Sequence, residues 1–348
     1  MKILMIYPQI DAPLGTNHGI ASLAGVLHAN GHELDLMHVS EKYKPVPSSE
    51  EIIDYIEQTK PGLVGFSVMS QQYEWVVQKS KDIRSALPEM VQTIGGVHCT
   101  MVPDEVHKSK LFEYVCVGEG DWALLELMNA LEKGEVPQTL ANFRSWLAGM
   151  PVSNPVAPFP DLAKLPPLDY NVFDMKAVMK ETRGWMGILT SRGCPYKCTY
   201  CFNIEIVDQY IEDGAAKNVK DFLRHFPIEV MMEDLKKLLR ENPEINTFIF
   251  DDDLFTLNTP YVIEFCEAYK KHKVGIPFVV NGHVNCFEET AAKALSDAGC
   301  IIVKFGLESG SPRVRREVLK RYMKNEQIER SFHASHTYNL HSSAFIMF

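Results

Sequence analysis

Short apolar runs alternate with amphipathic stretches of helical period along the first 135 residues. The apolar runs predict strands over Lys2–Tyr7, Glu33–Val39, Gly62–Val68, Val91–Ile94 and Tyr114–Val117. The periodic stretches predict helices over Asn17–Ala29, Ser49–Gln58, Gln72–Leu87, Pro103–Lys108 and Asp121–Glu132. Five strand–helix units with short links argue for an open parallel sheet covered on both faces. Such sheets take ligands beyond the carboxyl ends of their strands, where the strand order reverses. Those ends are Pro8 to Thr16, Ser67–Ser70, Gly95–Thr100 and Gly118–Gly120.

Residues 136–184 lose this periodicity and carry Pro137, Pro151, Pro155, Pro158, Pro160, Pro166 and Pro167. They read as an extended connector laid over a neighbouring surface. From Trp185 the alternation resumes, with strands predicted at Met186–Thr190, Thr247–Phe250, Pro277–Asn281, Ile301–Phe305 and Ser343–Phe348. Helices predicted between them include Ile228–Glu241, Tyr261–His272 and Glu288–Ala298. This is the pattern of a βα barrel or partial barrel, whose chemistry collects on the loops after the strands. The expected division is residues 1–135, a connector over 136–184, and a barrel over 185–348.

A chain of 348 residues exceeds the size at which one core stops growing, in keeping with two domains. A formal charge of −10 offers no basic face for tracking phosphates, so no nucleic-acid partner is expected. No apolar stretch approaches the roughly 20 residues needed to span a bilayer. The run Met1–Tyr7 is too short for a secretory signal and reads as a buried first strand. Cys99, Cys116, Cys266, Cys286 and Cys300 are scattered without framework spacing, which suits a reducing cytoplasm.

The remaining cysteines carry the chemistry. Cys194, Cys198 and Cys201 lie in Ser191-Arg-Gly-Cys-Pro-Tyr-Lys-Cys-Thr-Tyr-Cys-Phe202, directly after the first barrel strand. Three thiolates at Cys-x3-Cys-x2-Cys spacing can hold three corners of an iron–sulfur cube. No fourth cysteine lies nearby, so one iron is left open. A zinc site completed by a distant His or Cys, or a knot of buried thiols, is the competing reading.

The loop resembles that of the radical S-adenosylmethionine (SAM) enzymes, whose signature is Cys-x3-Cys-x-aromatic-Cys; Tyr200 is the aromatic. The resemblance implies a 4Fe-4S cluster on Cys194, Cys198 and Cys201, with SAM chelating the open iron. It extends to Phe250-Asp-Asp-Asp-Leu-Phe255, where Asp252 and Asp253 match an Asp-Asp-x-Phe run receiving the SAM ammonium. It extends also to Phe305-Gly-Leu-Glu-Ser-Gly310, placing Glu308 near the SAM ribose or methionyl group with Ser309 beside it. Tyr200 is expected beside the adenine. Alternatives stay open at each: a divalent-metal site or surface acids at the aspartates, a capping carboxylate at Glu308, core packing at Tyr200. In Asn281-Gly-His-Val-Asn285, His283 stands where related sequences tend to carry Arg, as a proton donor, a substrate contact or a hydrogen-bonded barrel histidine.

The first 135 residues resemble the cobalamin-binding domain that precedes the barrel in cobalamin-dependent members. The points of resemblance are Gly31-His32, Gly95-Gly-Val-His98 with Thr100 and Pro103, and Val117-Gly-Glu-Gly120. They imply that Gly95, Gly96, Gly118 and Gly120, having no Cβ to clash, let the backbone approach a planar ring, with Val97 and Glu119 among the cofactor-binding positions. Ser67, Ser70 and Thr100 would bond its amide arms, with His98 close by. Tight turns of a ligand-free sheet would look the same. The Asp-x-His-x-x-Gly run that supplies a lower axial histidine is absent after the first strand. His18 and His98 are the only candidates for that place, and cobalamin without a protein histidine is the expectation.

The resemblance thus implies an α/β chain: a flavodoxin-like (Rossmann-type) cobalamin-binding domain, then a partial (β/α)6 TIM-like radical SAM barrel. The last predicted strand is the fifth, so a six-unit barrel is expected to be truncated here. The implied activity is methyl transfer to an unactivated carbon, through a 5′-deoxyadenosyl radical and methylcobalamin. A non-methylating cyclase or oxidase is the alternative, and a non-catalytic cobalamin- or metal-binding protein a further one. A small-molecule or peptide substrate and an external one-electron reductant of the flavodoxin or ferredoxin type are the expected partners, in the cytoplasm.

Overall fold

A computed structural model describes every residue except Tyr43, Gln138, Ala148 and Phe348. It divides into two compact units. The first holds Met1–Glu181 with Asp208–Lys217, the second Thr182–Val207 with Asn218–Phe348.

In the first unit, β1 (Lys2–Pro8), β2 (Glu33–Val39), β3 (Leu63–Ser67), β4 (Gln92–Gly95) and β5 (Tyr114–Cys116) form a parallel sheet in the order β2-β1-β3-β4-β5. The chain leaves β1 toward one edge and returns to β3 on the other side. The reversal therefore falls between β1 and β3, where a parallel sheet opens a crevice at its carboxyl ends. Helices α1 (His18–Ala29), α2 (Ser49–Thr59), α3 (Tyr73–Ala86), α4 (Val97–Met101), α5 (Pro103–Lys108) and α6 (Asp121–Glu132) make the crossovers. Their starts follow local chemistry: the Asn17 side chain takes the Ile20 N–H at 3.0 Å, and Ser48 and Glu51 cap α2 reciprocally. Leu4, Ile6, Val64, Phe66, Ile94 and Val115 are buried together, because strands covered on both faces have no polar side to show.

The predicted connector departs from expectation. It contributes β6 (Phe143–Leu147) and β7 (Met150–Ser153), an antiparallel hairpin that pairs with β5 and extends the sheet to seven strands. Edge strands tolerate proline and half-exposed polar residues, so Pro151 and an exposed Met150 concealed the pattern. The rest of the connector lies along α1, where the Asp169 N–H bonds Ala21 O at 2.9 Å. A Cβ at Gly25 would stand 2.2 Å from Pro167 O, so only glycine admits that packing. The segment ends in α7 (Met175–Glu181).

The second unit carries five parallel strands in sequential order: β8 (Trp185–Ile188), β11 (Thr247–Phe250), β12 (Phe278–Gly282), β13 (Cys300–Glu308) and β14 (His341–Ile346). A small antiparallel pair, β9 (Ser191–Arg192) with β10 (Arg224–His225), follows β8. Helices α8 (Asn203–Glu212), α9 (Ile228–Glu241), α10 (Thr259–Lys271), α11 (Glu289–Ala298) and α12 (Asn325–Thr337) alternate with the strands; the last turns of α8 belong to the first unit. Strands added one after another with helical crossovers give the partial-barrel winding that the sequence predicts. Phe250 anchors the layer beneath α10, with its ring edge-on to Phe265 at 5.0 Å and to Phe278 at 5.4 Å. The predicted last strand, Ser343–Phe348, begins two residues earlier, and Phe348 lies outside the described residues. Among the described residues no helix is long and apolar enough to cross a membrane.

Candidate active site

In the second unit the cysteine loop leaves β8 through Thr190 and Ser191, and a buried carboxylate holds that exit. Asp252, fully buried after β11, accepts the Thr190 N–H at 3.1 Å and hydroxyl at 2.9 Å, and also the Ser191 hydroxyl. Burial pushes its carboxyl up to about 6, while those hydroxyls and the Thr190 amide pull it back. Asp252 therefore spends its oxygens on the protein and supports the loop from behind. Asp253 is the exposed neighbour, its carboxyl raised by crowding and eased by Asn203 and the Gly193 N–H.

The three cysteines converge with Asp253. Burial pushes the Cys194 thiol up to about 12 and raises Cys201, and Asp253 and the other thiols add repulsion at both. Thiolates can persist here only against positive charge, which is the demand an iron cluster meets. Among the described residues no three His, Cys, Asp or Glu side chains are close enough to hold one metal ion. The residues present suit an iron–sulfur cluster by their chemistry: three sulfur donors on one loop, in a site whose burial calls for compensating positive charge.

At the end of β13 a register shift between Gly306 and Glu308 re-aims the strand, and Glu308 takes a left-handed φ of 64°. Its Oε1 accepts the Tyr200 hydroxyl at 3.0 Å, so the carboxylate at the end of β13 and the aromatic of the cysteine loop meet as a pair. Ser309 instead serves its own turn, its hydroxyl accepting the Ser311 N–H and its carbonyl the Arg315 guanidinium. His283 is buried and stacks on Tyr196 with ring centres 4.2 Å apart. Its Nδ1 accepts the Asn285 N–H, leaving the proton on Nε2, which has no partner among the described residues. Burial and then the Arg321 charge drive its pKa down to about 3, so it is neutral.

Sequence reasoning missed Arg321. It is nearly buried, and its Nη1 lies 3.4 Å from Cys198 Sγ and 3.3 Å from Tyr200 Oη, while Nε donates to Gly306 O at 2.7 Å. Nothing in Leu319-Lys-Arg-Tyr322 marks it, because its partners are 15 to 123 residues away in sequence. Thr199 was also unmarked; its N–H and hydroxyl bond Leu319 O and Val318 O, clamping the loop to the segment that carries Arg321.

In the first unit the expected ligand loops interlock. Val68 N–H bonds Gly95 O, His98 Nδ1 meets Ser70 Oγ at 3.0 Å, and Thr100 Oγ1 accepts the Gly118 N–H at 3.0 Å. Ser67 closes the β3–β4 ladder opposite Gly95, and Val97 opens α4. The glycines answer first to the protein. Gly96, with φ 104°, would put a Cβ 2.7 Å from Val68 O; Gly118, with φ 78°, would put one 2.4 Å from the Tyr210 hydroxyl. Tyr210 stacks flat on Phe159 at 3.8 Å and accepts the Glu119 N–H at 2.8 Å. A Cβ at Gly120 would sit 3.3 Å from Cys116 Sγ. His98 is buried and tilted on Tyr73, and its Nε2 lacks a partner among the described residues. An orphaned buried nitrogen beside a glycine-lined strand end is the feature that suits a ligand with polar arms. His18 is held by Tyr170 at 2.8 Å.

The two halves match two known domains. A B12 binding domain matches residues 12–128, and a radical SAM superfamily domain matches residues 188–348. The chain belongs to the radical SAM enzymes that carry a cobalamin-binding domain. It is 25% identical over 323 residues to an uncharacterised methyltransferase of Pyrococcus horikoshii, covering 90% of this chain and 67% of that protein. It is 24% identical over 330 residues to the anaerobic magnesium-protoporphyrin IX monomethyl ester cyclase of Rubrivivax gelatinosus, covering 89% and 56%. The fold is that of the cobalamin-dependent SAM radical enzyme OxsB solved with aqua-cobalamin and SAM bound. There the TM-score is 0.82 and the identity 17%, over 99% of this chain and 49% of OxsB. It also matches the radical SAM methyltransferase TsrM of Kitasatospora setae, with a TM-score of 0.77 and 15% identity over 99% of this chain and 67% of TsrM. The chain thus spans about half to two thirds of the proteins it matches.

Proposed function

We propose that this chain is the cofactor-bearing part of a cobalamin-dependent radical SAM methyltransferase. The observation that carries the reading is the triad Cys194, Cys198 and Cys201, set on a loop after the first barrel strand and braced by Asp252. Its attachment to a B12 binding domain and the methyltransferases among its relatives support the choice of reaction. When bound, the cluster with SAM supplies a carbon-centred radical and cobalamin a methyl carrier; the protein supplies binding, orientation and exclusion of water.

In this reading the three cysteines take one iron each. Asp253, exposed beside them, is the acid that meets the SAM ammonium, a role in which Asp252 supports from the buried side. Glu308, already an acceptor for Tyr200, has a second oxygen to offer ribose hydroxyls, and the Tyr200 ring flanks the adenine. In the first unit, Ser67, Ser70, Gly95, Gly96, Val97, His98, Thr100, Gly118, Glu119 and Gly120 border the corrin, with the unpartnered His98 Nε2 as a polar atom for its arms. Burial lowers the His98 pKa, which keeps that nitrogen neutral. The substrate is a small molecule or peptide, the electron comes from a flavodoxin- or ferredoxin-type donor, and the setting is cytoplasmic.

Anaerobically reconstituted protein should show iron–sulfur and corrin absorption together. With substrate and reductant it should release both 5′-deoxyadenosine and S-adenosylhomocysteine. A second reading, cyclisation or oxidation, rests on the cyclase relatives. Deoxyadenosine without S-adenosylhomocysteine would favour it and reject methyl transfer.

A further inference from the structure

Arg321 is a cation placed against a cluster cysteine; among the described residues no carboxylate is in ion-pair range of it, and Glu308 meets it only through the shared Tyr200 hydroxyl. Its guanidinium bonds one carbonyl, one phenol and the Cys198 sulfur. Burying a guanidinium costs several kcal/mol unless negative charge compensates it. Burial alone is not diagnostic. Arg315 is buried more deeply and is met by neutral groups, Ser309 O at 2.8 Å and Asn325 Oδ1 at 2.5 Å. What separates Arg321 is that one of its partners is a thiol that turns anionic on binding iron.

The delivery of Arg321 is built into the backbone. Between Val314 and Leu319 the helix widens to an i→i+5 bond of 3.0 Å, and the Arg321 N–H closes on Arg315 O at 2.7 Å. Widened turns of this kind recur at functional sites. The same stretch offers Val318 O and Leu319 O to Thr199, locking it to the loop between Cys198 and Cys201. Movement of this segment relative to the loop would break four hydrogen bonds at once, two to Thr199 and two from Arg321.

We propose that Arg321 is a positioning residue that sets the reduction potential of the cluster, raising it by favouring the more negative, reduced state through the Cys198 sulfur. Potentials of protein-bound clusters respond to net charge and to hydrogen bonds on the sulfurs, and a cation 3.4 Å from a ligand atom supplies both. The inference rests on the cluster reading above.

The test is a spectroscopic redox titration of the anaerobically reconstituted full chain as parent, Arg321→Gln and Arg321→Lys, with iron content and melting temperature measured alongside. Gln ends where the arginine Nε stands, so it keeps a donor for Gly306 O while removing the charge and the reach to Cys198 and Tyr200. The Gln variant should load the parent's iron and show an oxidised-to-reduced ratio about tenfold higher at a fixed potential, a midpoint lower by about 59 mV for one electron. The Lys variant should recover most of that shift. Equal titration of Gln variant and parent would overturn the proposal. So would equal shifts in both variants, which would assign the effect to the shape of the fork rather than its charge. Loss of iron from both at an unchanged melting temperature would make Arg321 an assembly residue and likewise overturn it. A parent that binds no iron would refute the cluster itself, a separable failure.

Discussion

The Asp252 carboxylate receives Thr190 twice, from its main-chain N–H at 3.1 Å and its hydroxyl at 2.9 Å, in a pocket with no solvent access. Those bonds fix the point where β8 turns into the cysteine loop. Asp252→Ala would leave the Thr190 and Ser191 donors buried and unpaired, a loss of about 3 kcal/mol. We expect a melting temperature several degrees lower in the iron-free protein and weaker iron retention. An Ala variant that melts with the parent would show that the loop stands without this brace.

Acid should weaken the first unit through His38. Burial first, then the charge of Lys44, holds its pKa near 4, against about 6.5 in an unfolded chain. The unfolded state therefore binds more protons between those values, so this contribution is intact above pH 6.5 and falls away as pH drops toward 4, by up to about 3 kcal/mol. Urea midpoints measured at pH 7 and 4.5 should differ less in His38→Gln than in the parent. Parallel pH slopes would remove His38 from the account.

Gly96→Ala meets two obstacles, a φ of 104° and a carbonyl 2.7 Å from the new carbon. We expect a cost of about 3 kcal/mol or more and loss of corrin binding, read by absorption after cobalamin incubation. Gly31→Ala has a positive φ but open space around it, and should cost less. Equal losses would mean that conformation rather than crowding decides both sites.

Glu308 pays for its left-handed backbone with about 1–2 kcal/mol. Glu308→Gly should therefore leave the melting temperature within a few degrees of the parent, although it forfeits the Tyr200 bond. On the proposed role, SAM affinity measured by calorimetry on the reconstituted protein should drop at least tenfold. Unchanged affinity would place the ribose elsewhere.

The alternation of apolar runs is a local signal that most strands follow, and the cysteine spacing is another, lying within the stretch that the radical SAM domain matches. The predicted parallel strands come within about two residues of the periodicity, except that β13 runs three residues further, to Glu308, where its end turns polar. The hairpin of β6 and β7 escaped, since an edge strand has an exposed side and no uniform pattern to read. Alternation of side chains puts Asp252 on the face opposite Asp251 and Asp253; only the tertiary structure shows that the face of Asp252 is the buried one, against Thr190. The glycines after β4 and β5 were legible as special, but not their neighbours: Val68 and Tyr210, distant in the chain, are what they make room for.

What the chain by itself determined is the inventory: three thiols on one loop, parallel βα units, and carboxylates at strand ends. Those follow from spacing and from the burial pattern, which need no knowledge of distant residues. Tertiary structure alone decided which groups meet. Arg321 reaches Cys198 across 123 residues, and Tyr200 reaches Glu308 across 108. Such pairs arise because parallel strands bring successive loops to one end of a sheet, and a sequence carries no local mark of which loop will face which.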